Sequence, residues 1–266
     1  MMWLRRIALA FLLVVGSASL LAHKIAPYSY ETQLREATDA EPSSQHLLGT
    51  DELGRDRFSR LLYGMRISIL MAPAAALLAT ALAALIGISS ALMRGAPAHI
   101  AMMLTDVVLS VPWIFVLLTA RSCLPLNLSP ALSASVTFAL LGALGWAPTA
   151  RIVFAGAQSI QASDYMLQAH ALGIGRVRRA TQMLPNLLPA LMAQFWLTLP
   201  LFLLTEANLS ILGLGVSEPL PSWGTMLHEL QSLPLRPHQP WLWVPLVLLV
   251  MSVSSLQFLT DEKVSR

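Results

Sequence analysis

Long apolar runs separated by short polar intervals occupy most of this chain, and the runs have the length of membrane spans. Six can be drawn, over about Trp3–Ala22, Ile67–Met93, Ile100–Ala120, Leu126–Ala147, Leu187–Leu214 and Trp241–Leu259. A helix crossing a bilayer needs roughly 17–25 such residues. Pro73, Pro112, Pro130, Pro200 and Pro245 lie in or near the runs, where proline is better tolerated than in soluble helices. Small residues, as in Ala74 to Ala84 and Gly142-x-x-Gly145, predict close helix packing. Two polar intervals stand out. Asp51 to Arg66 mixes both signs of charge around Phe58, Leu61 and Leu62, and reads as an amphipathic interfacial helix or a folded gate element. Asp164 to Pro189 is a helix-compatible basic loop that opens on an acid, carries Arg176, Arg178 and Arg179, and ends in Pro-Asn-x-x-Pro punctuation. A loop that long between spans usually touches something.

Composition agrees with lipid as the solvent. Charged residues make up 12% of the 266 and the mean hydropathy is +0.64, against about 25% charged in soluble domains. A net charge of +3 points away from nucleic acid. The single cysteine, Cys123, excludes an intrachain disulfide and a multi-cysteine metal site, and its apolar surroundings predict that it simply packs. Only Lys24 and Lys263 are lysines, neither following a glycine, so the chain has no P-loop. No HExxH and no G-x-S-x-G occurs, so no catalytic or metal-ligating set is assigned. Arg5-Arg6 before an apolar stretch ending in small residues resembles a secretory signal peptide, but a membrane domain follows, which favours a retained first span. Basic residues divide almost evenly between the two sides. With the mixed-charge 51–66 segment set aside, Arg5-Arg6 and the arginines of the loop share the cytoplasmic side, giving N-in and C-in.

Three motifs then point one way: HLLGTDELGRD over His46–Asp56, LPNLLP over Leu184–Pro189, and SILGLGVSEPLPSWGTML over Ser210–Leu227. With IAPY at Ile25–Tyr28, they strongly resemble the inner-membrane permease subunits of bacterial ABC importers for dipeptides, oligopeptides and nickel, specifically the second permease of the pair. The resemblance covers nearly the whole chain from about residue 20.

It implies an all-α polytopic fold of the type I ABC importer kind with about six transmembrane helices. The implied organisation is a first helix over 1–22, an extracytoplasmic segment over 23–66, a five-helix core over 67–260 containing a cytoplasmic coupling loop at 151–186, and a tail over 261–266. By the same resemblance the function is half of a translocation pathway for a peptide or similar solute, working by alternating access in the bacterial inner membrane. The partners would be a second homologous permease, two cytoplasmic ABC ATPases, an extracytoplasmic solute-binding protein and membrane lipid. This chain would bind no cofactor; ATP and Mg²⁺ would sit on the ATPases.

The resemblance also implies residues. The ATPase-coupling set is Asp164, Tyr165, Leu167, Gln168, Ala169, Ala171, Leu172, Gly173, Gly175, Arg176, Arg178 and Pro185. Ala169, Ala171 and Leu172 favour a helix, Gly173 and Gly175 permit a sharp turn, and Pro185 with Pro189 should stop helix before the next span. Gly49, Thr50, Asp51, Gly54, Arg55, Asp56, Pro221, Trp223 and Gly224 form an entrance or gate motif, with Asp51, Arg55 and Asp56 in structural salt bridges or against the binding protein. Trp223 is expected to anchor a re-entrant chain at the interface. Glu206 and Asn208 are expected in the pathway or at the permease interface, against a hydrogen-bonded structural carboxyl for Glu206. Asp106 is read as a solvated helix end or a partner of Arg94, and His46, His228 and His238 as outward-facing and solvated. The chain departs from the family at Leu167, where a glutamate often stands, and in its short termini. A diverged permease with altered ATPase coupling, or an ATP-independent carrier or channel, is therefore the alternative; the latter would show inverted repeats, and none is evident. A membrane enzyme would need paired catalytic groups within spans, and Asp106 and Glu206 stand singly.

Overall fold

The computed structural model describes residues 2–93, 95–123, 125, 128–232 and 239–264. Among them the ordered structure is helical, apart from one isolated bridge between Thr50 and Asp56. The elements are α1 (Met2–Leu20), α2 (Ala22–Ile25), α3 (Arg57–Leu92), α4 (Ala96–Ser110), α5 (Trp113–Ser122), α6 (Pro130–Leu144), α7 (Ala147–Gln161), α8 (Asp164–Ala171), α9 (Arg176–Ile211), α10 (Trp223–Ser232), a 3₁₀ turn (Pro240–Trp243) and α11 (Val244–Val264). Five helical stretches among the described residues are long and apolar enough to cross a membrane, and six if a bent pair counts as one span. The all-α polytopic expectation therefore holds.

The bent pair is α4 and α5, which turn by 78° where one straight third span was expected. The cause is local: Val111 precedes Pro112 and takes an extended ψ of 126°, the conformation a following proline imposes. Three other boundaries move. The entrance segment was expected to end at residue 66, yet α3 starts at Arg57 and runs unbroken for 36 residues. The coupling loop was expected over 151–186, but α7 continues to Gln161 and α9 begins at Arg176, leaving residues 162–175 between them. Pro185 and Pro189 do not punctuate anything; both lie inside α9. They are exposed and one turn apart, so the ladder bonds they remove fall away from the buried stripe Met183, Leu187 and Leu191. The start of the expected fourth span at Leu126 lies outside the described residues, as do Arg94 and His238.

The chain forms two compact units. The first comprises Met1–Pro73, Arg121–Phe138 and Leu199–Arg266. There α1 lies along α11, and α10 and the 3₁₀ turn also pack on α11. Its deepest side chains include Trp223, Phe202, Leu209 and Arg60. The second comprises Ala74–Ala120 and Ala139–Thr198. Its core joins Ile88, Ala91 and Leu92 of α3 to Val153 and Ala157 of α7, Met166 and Ala169 of α8, and Met183, Leu187 and Leu191 of α9. The small-residue expectation is realised at Gly142, where a Cβ would stand 2.8 Å from the Ala75 carbonyl oxygen. Only glycine admits a backbone approach that close.

Candidate functional site

The Gly49–Asp56 motif folds on itself. Asp51 Oδ1 accepts the N–H groups of Leu53 (3.0 Å) and Arg55 (2.8 Å), and the Gly54 N–H reaches the Asp51 carbonyl at 2.9 Å. Gly54 has φ +72°, and a Cβ there would collide with the Leu34 carbonyl oxygen; the turn requires glycine on both counts. Thr50 Oγ1 accepts the Ala40 N–H at 2.9 Å and donates to the Ala37 carbonyl. Asp56 caps α3: its Oδ2 accepts the Ser59 N–H and hydroxyl, both at 2.7 Å. Its Oδ1 lies 2.9 Å from His46 Nδ1.

Most charges in this segment point inward, with Glu52 and Arg66 exposed, so the interfacial-helix expectation fails. Asp51, Arg55, Asp56 and Arg60 are all buried. Arg55 donates through Nε to Asp51 Oδ2 at 2.6 Å and through a terminal nitrogen to Glu218. Arg60 reaches Glu218 Oε1 at 3.0 Å and stands 3.7 Å from Asp51. Burial alone would lower the Arg55 pKa; the carboxylates of Glu218 and Asp51 outweigh it and hold Arg55 above its ordinary value. The structural salt bridges weighed for this motif are present, and Glu52 and Leu53 are its exposed members. His46, expected in solvent, is buried against Asp56 and stacked on Tyr28; His228 is exposed, with Nδ1 2.9 Å from the Ile211 carbonyl oxygen.

Pro221, Trp223 and Gly224 belong to the start of α10. Ser222 and Thr225 cap that start reciprocally: the Ser222 N–H donates to Thr225 Oγ1 at 2.8 Å and the Thr225 N–H to Ser222 Oγ at 3.1 Å. Trp223 has no solvent exposure, so its indole is a core group and not an interfacial anchor. Glu206 Oε1 accepts the hydroxyls of Ser210 (2.8 Å) and Ser222 (2.6 Å), and the carboxyl is enclosed. That is the hydrogen-bonded carboxyl weighed against a pathway role. Gly224 permits the contact, since a Cβ there would lie 2.8 Å from Ala207 Cα. Asn208 is exposed, so α9 does not bring it together with Glu206. Sequence reasoning misses Arg121 and Glu218. Arg121 donates to the carbonyls of Leu214 (3.0 Å) and Gly215 (2.9 Å) and to Ser133. Glu218 meets Arg60 across 158 positions, a distance at which no local pattern signals a pair.

The second candidate region is α8 and its turn. Met166 and Ala169 are buried, while Asp164, Tyr165, Leu167, Gln168, Ala171 and Leu172 face outward. The Tyr165 hydroxyl accepts Asn186 Nδ2 at 2.9 Å, tying α8 to α9. The helix ends in a Schellman turn: the Ile174 N–H reaches the Ala169 carbonyl (3.0 Å) and the Gly173 N–H the His170 carbonyl (3.1 Å), with Gly173 at φ +72°. Gly175 and the exposed Arg176 and Arg178 follow, while Arg179 turns inward. Asp106, read as a solvated helix end or a partner of Arg94, is half-exposed and bonded to Arg151 at 2.7 Å; Arg94 lies outside the described residues. No group of His, Cys, Asp or Glu among the described residues could hold a metal ion.

Residues 83–262 match the family model described as binding-protein-dependent transport system inner membrane component. The chain is 32% identical over 239 residues to the oligopeptide transport system permease protein OppC of Bacillus subtilis (strain 168), covering 90% of this chain and 76% of that protein. It is 30% identical over 238 residues to the dipeptide transport system permease protein DppC of the same strain, covering 89% and 72%. A putative peptide permease protein of Brucella suis biovar 1 (strain 1330) is 34% identical over 227 residues, covering 85% and 73%. Helices of membrane length, the capped Gly49–Asp56 turn and a match over most of the chain converge: it belongs to the binding-protein-dependent transport system inner-membrane component family, the permeases of ABC importers.

Proposed function

We propose that this permease carries short peptides inward, paired with a second homologous permease, with α8 as the element that meets a cytoplasmic ATPase. The relatives' names, which speak of oligopeptides and dipeptides, support the substrate class. In this reading two ATPases hold ATP and Mg²⁺, a solute-binding protein delivers the peptide outside, and both termini are cytoplasmic.

One observation carries the coupling role. A two-turn helix between two longer helices is fixed on one face by Met166 and Ala169 and by the Tyr165–Asn186 bond, and is open on the other. A displacement applied to its open face is transmitted to α7 and α9 through that shared core, because packed interiors deform little. The open face is apolar as well as polar: Leu167 is 51% exposed and Leu172 81%. Leu167 takes the position where relatives often carry glutamate, so docking here relies on apolar burial with Arg176 and Arg178 at the rim. Purifying the tagged chain from its host membrane, with and without Asp164 to Arg179 replaced by a flexible linker, tests the assignment. The ATPase should co-purify with the intact chain and be lost with the linker; equal recovery overturns it.

A further inference from the structure

A cavity of about 660 Å³ with a mixed polar and apolar lining lies in the second unit, between α4 and α7, within the size range of small-molecule sites. Asp106 and Arg151 face each other in it, with Arg151 Nη2 2.7 Å from Oδ1 and 2.8 Å from Oδ2. Ten residues separate Asp106 from the first residue of α4, and ten separate Arg151 from the last residue of α7. Those two helix ends lie on one side, since Gln161 donates to the Ala91 carbonyl (2.6 Å) near the end of α3. At about 1.5 Å per residue, each charge stands roughly 15 Å along its helix from that end, inside stretches apolar enough to cross a membrane. The two side chains are nevertheless 48% and 42% exposed on this chain. Charges inside membrane-length apolar stretches do not face acyl chains; they face a water-filled passage or another protein surface.

We infer that this cavity is a station on the peptide passage, where Asp106 receives the ammonium and Arg151 the carboxylate of a zwitterionic short peptide. The inference rests on the peptide reading above and adds a place and chemistry to it. The pair presents one acceptor and one planar double donor, complementary to the two ends of every unmodified peptide. With no peptide it closes on itself and leaves the site neutral, which avoids trapping cationic or anionic cargo. Gln158 adds an amide for the peptide backbone. Met102 and Met103 form an unbranched, polarizable wall that adapts to different side chains, as a carrier of varied peptides requires.

The test uses the intact importer in its membrane, with Cys123→Ser removing the native thiol and Met103→Cys supplying a new one. A water-soluble, membrane-impermeant thiol reagent should label the introduced thiol, and trialanine delivered in the presence of ATP should slow the labelling several-fold. Asp106→Asn and Arg151→Gln should each reduce trialanine uptake roughly tenfold, the scale of one lost charge-assisted contact, while ATPase subunits still co-purify. The exchanged pair Asp106→Arg with Arg151→Asp preserves the bond and serves as the folding control; it should assemble and remain impaired. Full uptake by the exchanged pair makes the bond a brace and overturns the inference. So does an introduced thiol that stays unlabelled or cross-links to the second permease, which would make this face a seam between subunits. Failure of the peptide reading itself looks different: the importer with the unmutated chain takes up no trialanine.

Discussion

Arg55→Met offers the sharpest test of how the entrance motif is held, because Arg55 joins one buried and one half-exposed carboxylate. Methionine retains most of the apolar stem and removes the charge. Asp51, 3% exposed, loses its 2.6 Å partner but keeps the N–H groups of Leu53 and residue 55 and the more distant Arg60 at 3.7 Å. Stranding a buried charge completely costs about 3–5 kcal/mol, and the retained donors bring this case to about 2–3 kcal/mol. Glu218, 50% exposed, adds less than about 1 kcal/mol. Native-state hydrogen exchange reads the effect directly at the amides of Asp51 and Arg57, bonded to the carbonyls of Arg55 (3.0 Å) and Gly49 (3.1 Å). Opening that is easier by about 2–3 kcal/mol accelerates their exchange roughly 30- to 150-fold. A double-mutant cycle separates the arms: Arg55→Met with Asp51→Asn should show the larger coupling, and Arg55→Met with Glu218→Gln a coupling under about 1 kcal/mol. Acceleration under about threefold, or the larger coupling on the Glu218 arm, refutes the reasoning.

Other expected outcomes follow from single positions. Gly173→Ala should destabilise by about 1 kcal/mol through its positive φ alone, since nothing lies within 4 Å of the added Cβ; Gly175→Ala, in open space without positive φ, should be neutral or slightly stabilising in thermal unfolding in detergent. Gly224→Ala places a Cβ 2.7 Å from Ser210 Cβ and should cost about 1–3 kcal/mol by overpacking, while Gly16→Ala, inside α1 with nothing within 4 Å, should leave the melting temperature unchanged or raise it, stabilising by up to about 1 kcal/mol. Glu206→Gln keeps an acceptor for Ser210 and Ser222 and should express near the wild-type level; Glu206→Ala strands both hydroxyls, costs about 1–3 kcal/mol, and should lower the yield of folded protein in the membrane.

Much of this molecule was legible locally. The number of spans, the helix at Asp164–Ala171 and the turn at Gly173 follow from apolar run length, helix propensity and the one residue type that accepts a positive φ. The motifs at Gly49–Asp56 and Ser210–Leu227 identified the family, and the match to peptide permeases bears that out against an ATP-independent carrier. Local reading failed where a residue's partner is remote. The mixed charges of 51–66 resemble a solvated amphipathic face, yet Arg55 and Arg60 turn inward because Glu218 arrives from far along the chain. Pro185 resembles a stop, but a helix already fixed by Met183, Leu187 and Leu191 continues through it.

The sequence by itself determined the solvent, the helical class and the family, because hydrophobic run length and short turn motifs are properties of contiguous residues. Only the tertiary structure decided which charges are buried and paired. It placed Asp106 against Arg151, closed Glu206 over two serines, and drew Trp223 from an expected interface into the core. Burial and pairing depend on what another element brings within about 3 Å, and no periodicity in one segment contains that information.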